Sequence, residues 1–355
     1  MAVTSPETPT RAPEAPTAIS RDADRDVAVG VMLGVLAAIC YTGTNIALRG
    51  VTREGDFDWA LWVTCLKVLP GMLIAWSLIG VRTWSGKKTL PGRRVVALLL
   101  TAGLFTQCCG NLLFQISLSM CGLALAVPTV FATLMLAGAI LGRFVLGERV
   151  TWRSVWATGL LLAAIGLLSL GASAAGKSLP PGPQGVSATL WVLGGIGLAG
   201  VAGVFYGILG VVIRRSTHRA VPLPATLALV GTTGVLGLGI PALVRLGPSV
   251  LDVTLGEGAL MIGAGVMNGI AFFAIAGSLR RIPVVQVNLI NASQATLCAL
   301  GGVFVYGEAL SWGLASGTAL TIVGLTLLDR RKPVATNSPA NVATIKEKSF
   351  ENKDM

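Results

Sequence analysis

Charge is scarce in this chain. Charged residues make up 12% of the 355 positions, about half of the ~25% usual in soluble domains. With 53% hydrophobic residues and a mean hydropathy of +0.76, the composition excludes a soluble globular domain. Acidic residues are the rarer sign, 16 against 27 basic ones. None stands near the middle of an apolar run, so a carboxylate relay for protons through a membrane core has no residues to use. Histidine occurs once, as His218. The six cysteines, Cys40, Cys65, Cys108, Cys109, Cys121 and Cys298, form no metal spacing and no CxxC pair, and read as small apolar packing residues. HExxH and GxSxG are absent, so an intramembrane hydrolase is not expected. No cofactor and no metal are expected. Before Val27 there is no basic stub followed by an apolar core and cleavage site, so no cleaved signal peptide is expected.

What is present is a regular series of apolar runs. The fold class is an all-α integral membrane protein, because a helix satisfies its own backbone in lipid. Ten spans are expected: 27–48, 59–81, 95–118, 123–145, 154–171, 188–213, 223–244, 257–276, 283–305 and 312–328. Residues 1–26, with four prolines, read as a disordered cytoplasmic tail. Residues 172–187 form a linker, since three prolines exclude a helix there, and 329–355 form a second cytoplasmic tail. The 45 glycines suit close helix packing. Pairs such as Gly203/Gly207 serve packing within one protomer or a homodimer.

The net charge of +11 reads as topogenic, and no nucleic-acid partner is expected. With the N-terminus in the cytoplasm, cytoplasmic loops hold five basic residues over 82–94 and three over 143–153. They also hold Arg214, Arg215 and Arg219, then Arg280 and Arg281, then Arg330, Arg331 and Lys332. External loops hold only Arg49, Arg53, Lys177 and Arg245. The expected location is a multi-pass plasma (inner) membrane with both termini cytoplasmic. Trp59, Trp62, Trp76, Trp84, Trp152, Trp191 and Trp312 read mostly as an interfacial belt.

Lys67 organises the expected site. It falls near the middle of the second span, where an ammonium costs several kcal/mol unless hydrated, paired or turned to a cavity. Two readings stay open: a lysine tying helices together, or one facing a solute path. Gln107, Asn111 and Gln115 recur every fourth residue of the third span and would share one helix face. Asn288, Asn291 and Gln294 cluster in the ninth span. A lipid-facing stripe of amides is costly, so these groups either glue helices or line a cavity. Tyr41, Asn45, Tyr206 and Asn268 are further candidates for the lining.

An internal repeat gives the architecture. GRFVLGERVTW at 142–152 aligns with GVFVYGEALSW at 302–312, with six of eleven positions identical. Five spans separate the copies, so the second half enters the membrane inverted. The expected halves are 27–171 and 188–328. Inverted repeats are a secondary-transporter architecture with a site near the midplane. These boxes, with the glycine-bearing helices after them, resemble the EamA-type branch of the drug/metabolite transporter superfamily over about 27–330. The resemblance implies ten spans in a 5+5 inverted repeat and export as the direction. It also implies a gating role for Pro128, whose counterpart here is Asn288. In such transporters the second helix is more often peripheral. Glu148 and Glu308 close the two boxes and read as structural or gating residues.

The expected function is secondary transport of small metabolites by alternating access, with amino acids or related zwitterions first. The expected partners are a small-molecule substrate and the lipid bilayer. Two alternatives remain: a transporter of phosphorylated or nucleotide-linked solutes, and a non-transporting membrane scaffold or sensor. The first needs more positive charge than Lys67 offers. The second needs a closed core with Lys67 fully paired.

Overall fold

The computed structural model describes residues 18–53, 55–87, 89–147, 188–218, 221–306 and 312–326, with positions 152, 155, 156, 158–160, 162–164, 166 and 167. Among the described residues every regular element is helical. Helix α1 is Ala18–Gly50, α2 is Phe57–Trp84 and α3 is Arg93–Phe105. A π-helical turn, Thr106–Leu112, runs straight into α4, Leu113–Leu146. Helix α5 is Ala188–His218, α6 is Leu223–Leu246 and α7 is Leu255–Arg281. Then follow α8 (Val284–Asn291), α9 (Ser293–Tyr306) and α10 (Trp312–Thr326). Seven helical stretches among the described residues are long and apolar enough to cross a bilayer. The chain is a multi-span α-helical membrane protein. The described positions of the expected fifth span, between 155 and 167, are helical, and Glu148 and Glu308 lie outside the described residues.

Three expectations are corrected. Helix α1 begins at Ala18, inside the stretch read as a disordered tail. After Pro16 no proline occurs until Pro70, so nothing in the sequence stops the helix from continuing into water. Second, the expected ninth span is two helices, α8 and α9, meeting at Ala292. Third, Trp59 is not a belt residue. It is 1% exposed, and its indole N–H donates to the Val51 carbonyl at 2.8 Å. The expected turn between the third and fourth spans is a kink at Gly122, at φ 72° and ψ 174°, a conformation open essentially to glycine alone.

Packing joins the two parts of the chain. Helix α1 lies on α7, α2 on α6 and α7, and α4 on α5. The α4–α5 crossing is close enough that a Cβ at Gly203 would stand 2.0 Å from Thr133 Oγ1 and 2.2 Å from the Val130 carbonyl oxygen. A glycine there is what lets the backbones meet. Two apolar clusters flank the middle of the bundle. One gathers Leu48, Trp59, Phe114 and Leu118, the other Leu99, Leu227, Leu279 and Ile282. Polar contacts tie each end. At one end the Arg53 guanidinium lies 3.5 Å from the Trp59 ring centroid and 3.4 Å from Glu257, and Arg245 meets Asp58 at 3.0 Å. At the other end Ser278 donates to the Gly30 carbonyl at 2.7 Å, and Arg281 lies 3.7 Å from Asp26.

Candidate functional site

Between those clusters is a cavity of about 140 Å³, well above the ~10–15 Å³ that holds a single water. Helices from both parts of the chain line it. Of the residues expected to line a cavity, Tyr41, Asn45, Lys67, Gln107, Asn111, Tyr206, Asn268, Asn288, Asn291 and Gln294 all reach this one. Gln115 does not. It is 3% exposed, and its Oε1 is buried without a hydrogen-bond partner. Gln107 and Asn111 lie inside the π turn and Gln115 lies beyond it in α4, so one regular helix does not carry all three. Pro128 is buried in α4 but is not a lining residue.

Lys67 is 5% exposed and projects from α2 into this cavity. Its Nζ donates to Asn111 Oδ1 at 2.7 Å, and Tyr206 Oη donates to the same oxygen at 2.8 Å. Asn111 Nδ2 donates to Gln107 Oε1 at 2.6 Å, and Gln107 Nε2 donates to the Val230 carbonyl at 3.3 Å. The direction of this chain is forced. A backbone carbonyl only accepts, so Gln107 must present its nitrogen to Val230 and its oxygen to Asn111. Asn111 must then present its oxygen to position 67. Both acceptor sites of that oxygen are filled, by Lys67 and Tyr206. A polar group at position 67 that meets this oxygen therefore has to be a donor.

The backbone beneath Lys67 is adapted to the site. Pro70 has no N–H, so the Leu66 carbonyl four residues earlier loses its helical donor. Next to it, Asn268 Nδ2 crosses from α7 to donate to the Lys67 carbonyl at 3.1 Å. The ammonium stands 5.7 Å from the Phe114 ring centroid, within reach of a cation–π contact. Tyr206 meets the same ring edge-on at 6.5 Å. Asn111 is the sole acceptor for Lys67 among the described residues, which leaves two ammonium N–H directions unused by protein. No ion pair among the described residues involves it, and the sequence has no acid between Asp58 and Glu148 or between Glu257 and Glu308.

A second polar group lies on α1, α8 and α9. Gln294 Nε2 donates to Asn291 Oδ1 at 2.8 Å, and Asn291 Nδ2 donates to the Val287 carbonyl at 3.0 Å. Asn45 Nδ2 faces Cys298 Sγ at 3.9 Å. Asn288 is held against α4 at Gly138, where an added Cβ would stand 2.1 Å from Nδ2. Gly138→Ala should therefore push Asn288 off its position and destabilise the protein by about 1–3 kcal/mol through overpacking. Thermal unfolding in detergent measures this, and an unchanged midpoint would mean that Asn288 has other room.

Apolar residues complete the wall, among them Phe114, Phe131, Leu134 and Phe272. Sequence reading missed these phenylalanines, because an apolar side chain in an apolar span carries no signal of which way it faces. Phe114 alone was recoverable, since it stands three positions after Asn111. Along α7 the lining runs Asn268, Phe272, Ile275, Leu279, and along α5 Tyr206, Leu209, Gly210, Ile213. Both rows lead from the middle of the bundle toward the end that carries Arg214 and Arg280.

One sequence match bears on the expectation of no nucleotide cofactor. GASAAGKS at 171–178 has the G-x-x-x-x-G-K-[ST] spacing of a phosphate-binding loop. That motif works between a strand and a helix whose N-terminus holds the phosphate. Here it falls at the start of the expected linker, outside the described residues, and Pro180 and Pro181 follow after Leu179.

Residues 28–170 match the EamA-like transporter family. An uncharacterized protein of Pseudomonas aeruginosa is 26% identical over 300 residues, covering 84% of this chain and 93% of its own length. A crystal structure of a protein superposes with a TM-score of 0.64 at 20% identity, over 84% of this chain and 97% of that one. At that identity the likeness speaks for the fold alone.

Proposed function

Because this chain carries an EamA-like transporter domain over residues 28–170, we propose that it is a secondary transporter of small metabolites, with amino acids and related zwitterions as the first class. The observation that carries this reading is the central cavity, where Lys67 and amides from both parts of the chain converge. A scaffold would have no use for a charged group left with unfilled hydrogen-bond directions at that depth. The proposed architecture is ten spans in two inverted five-helix halves, which rock about the cavity in alternating access. The proposed setting is the inner membrane with both termini cytoplasmic, and export is the proposed direction. In that topology the lining rows on α5 and α7 lead toward the cytoplasm, so this conformation is the inward-directed one. The network of Arg53, Trp59 and Glu257 then closes the outer side.

The functional test is counterflow in proteoliposomes. Vesicles preloaded with one unlabelled amino acid should take up its radiolabelled form faster than protein-free vesicles, for at least one member of a panel of the twenty common amino acids. No exchange with any of them would overturn the amino-acid reading. The topology has its own test. Single cysteines introduced at positions 177 and 217 should react on opposite sides with a membrane-impermeant maleimide, against wild-type protein as the blank. Position 177 should label in intact cells and position 217 only after lysis. Labelling of both in intact cells would sink the proposed orientation.

A further inference from the structure

We propose that the Lys67 ammonium is the docking point for a carboxylate of the solute, and that the amide oxygens of Asn45, Asn288 and Gln294 take its amine. The inference rests on the transporter reading and adds what the site selects. Lys67 is the one formally charged residue among the lining side chains. Its single protein acceptor is Asn111 Oδ1, which is already shared with Tyr206. The remaining N–H directions therefore have no protein oxygen to meet. Tyr206 spends its proton on Asn111 and keeps its own lone pairs. A buried ammonium with no countercharge among the described residues draws an anion, and a carboxylate supplies both countercharge and acceptor oxygens. A solute bearing only a positive charge would meet repulsion and no acid.

The second pole has the opposite chemistry. Gln294 uses its nitrogen on Asn291, and Asn45 turns its nitrogen to Cys298. The oxygens of Asn45, Asn288 and Gln294 accept no hydrogen bond from the described residues, and none of them is among the buried unpartnered atoms. They are acceptors with open capacity on the same cavity as a cation with open capacity. Phe114, Phe131, Leu134 and Phe272 give an apolar wall for a hydrocarbon side chain. A phosphate dianion fits less well, because the lining offers one cation where a second charge would want another.

The experiment uses three probes that share one isobutyl group. They are L-leucine, 4-methylpentanoate, which lacks the amine, and 3-methylbutylamine, which lacks the carboxylate. Binding to the purified full-length protein is read by calorimetry and by the shift of the unfolding midpoint. L-leucine and 4-methylpentanoate should bind, and the amine should not. Lys67→Met should weaken both carboxylates about ten- to hundredfold, the loss expected for one charged hydrogen bond. Lys67→Arg, which keeps a cation, should retain the preference for acid over amine and guards against a misfolded Met variant. Gln294→Ala should weaken L-leucine while leaving 4-methylpentanoate unchanged.

Equal binding of the amine and the acid, no binding of the acid by wild type, or undiminished acid binding by Lys67→Met would each overturn the docking point. An unchanged L-leucine affinity in Gln294→Ala would overturn the amine pole. Counterflow of the same probes separates this from the transporter reading. Flux of the amine sinks the docking point and leaves transport standing. Binding of the acids with no flux of any probe sinks transport and leaves the docking point.

Discussion

Lys67→Met protein should insert and fold yet lose most of its solute flux, whereas Lys67→Glu should fail to give folded protein. The two outcomes follow from the forced direction of the amide chain. Methionine removes the ammonium but leaves Asn111 Oδ1 with the Tyr206 hydroxyl at 2.8 Å, so no protein group is left unpaired. The desolvation cost of a buried ion disappears with it, so stability should change by less than about 1 kcal/mol or rise. Flux is different. A solute that relied on the charge loses about 1.5–3 kcal/mol of interaction, roughly ten- to hundredfold. Glutamate instead sets an acceptor against an acceptor. Asn111 cannot turn its nitrogen to position 67, because Gln107 and then the Val230 carbonyl would face oxygen with oxygen. The result is a buried, unpartnered carboxylate costing several kcal/mol. Counterflow normalised to monodisperse protein, together with unfolding midpoints, reads both variants. Wild-type flux in Lys67→Met would remove the charge from the mechanism. Well-folded Lys67→Glu would show that the amide chain is not directional.

Asn111→Leu should damage stability more than Lys67→Met does. One side chain serves Lys67, Tyr206 and Gln107 at 2.7, 2.8 and 2.6 Å. Leucine is close in size, so packing is kept while two donors and an acceptor lose their partner. Each buried polar group left unpaired costs about 1–3 kcal/mol, more when charged. The ammonium dominates that cost, which gives the prediction a second arm. Adding Lys67→Met to Asn111→Leu should restore part of the lost stability, with a coupling of about 0.5–3 kcal/mol. The cycle is measured by unfolding in detergent. Additive losses would mean that Lys67 and Asn111 act independently, whatever their separation. Flux should fall in both the single and the double variant, since neither can present a positioned ammonium.

The sequence by itself determined the spanning helices, the depth of Lys67 and the polar residues available to surround it. Those follow from composition and from the cost of charge in lipid, which act wherever the residue ends up. It also listed most of the polar side chains of the cavity lining, because a buried amide in an apolar run must face something polar. It could not place the acceptor for Lys67. That pairing joins residues 44 positions apart, and no local pattern encodes it. The resemblance to known transporters put the second helix at the periphery. The structure instead turns Lys67 into the cavity, with Pro70 and Asn268 reshaping the backbone beneath it. Gln115 shows the reverse case. Its four-residue spacing from Asn111 was legible, but Gln107 and Asn111 sit inside the π turn and Gln115 beyond it. Hydrogen-bond register within a helix is set by what packs around it, so only the tertiary structure decided which of three evenly spaced amides meet the lysine.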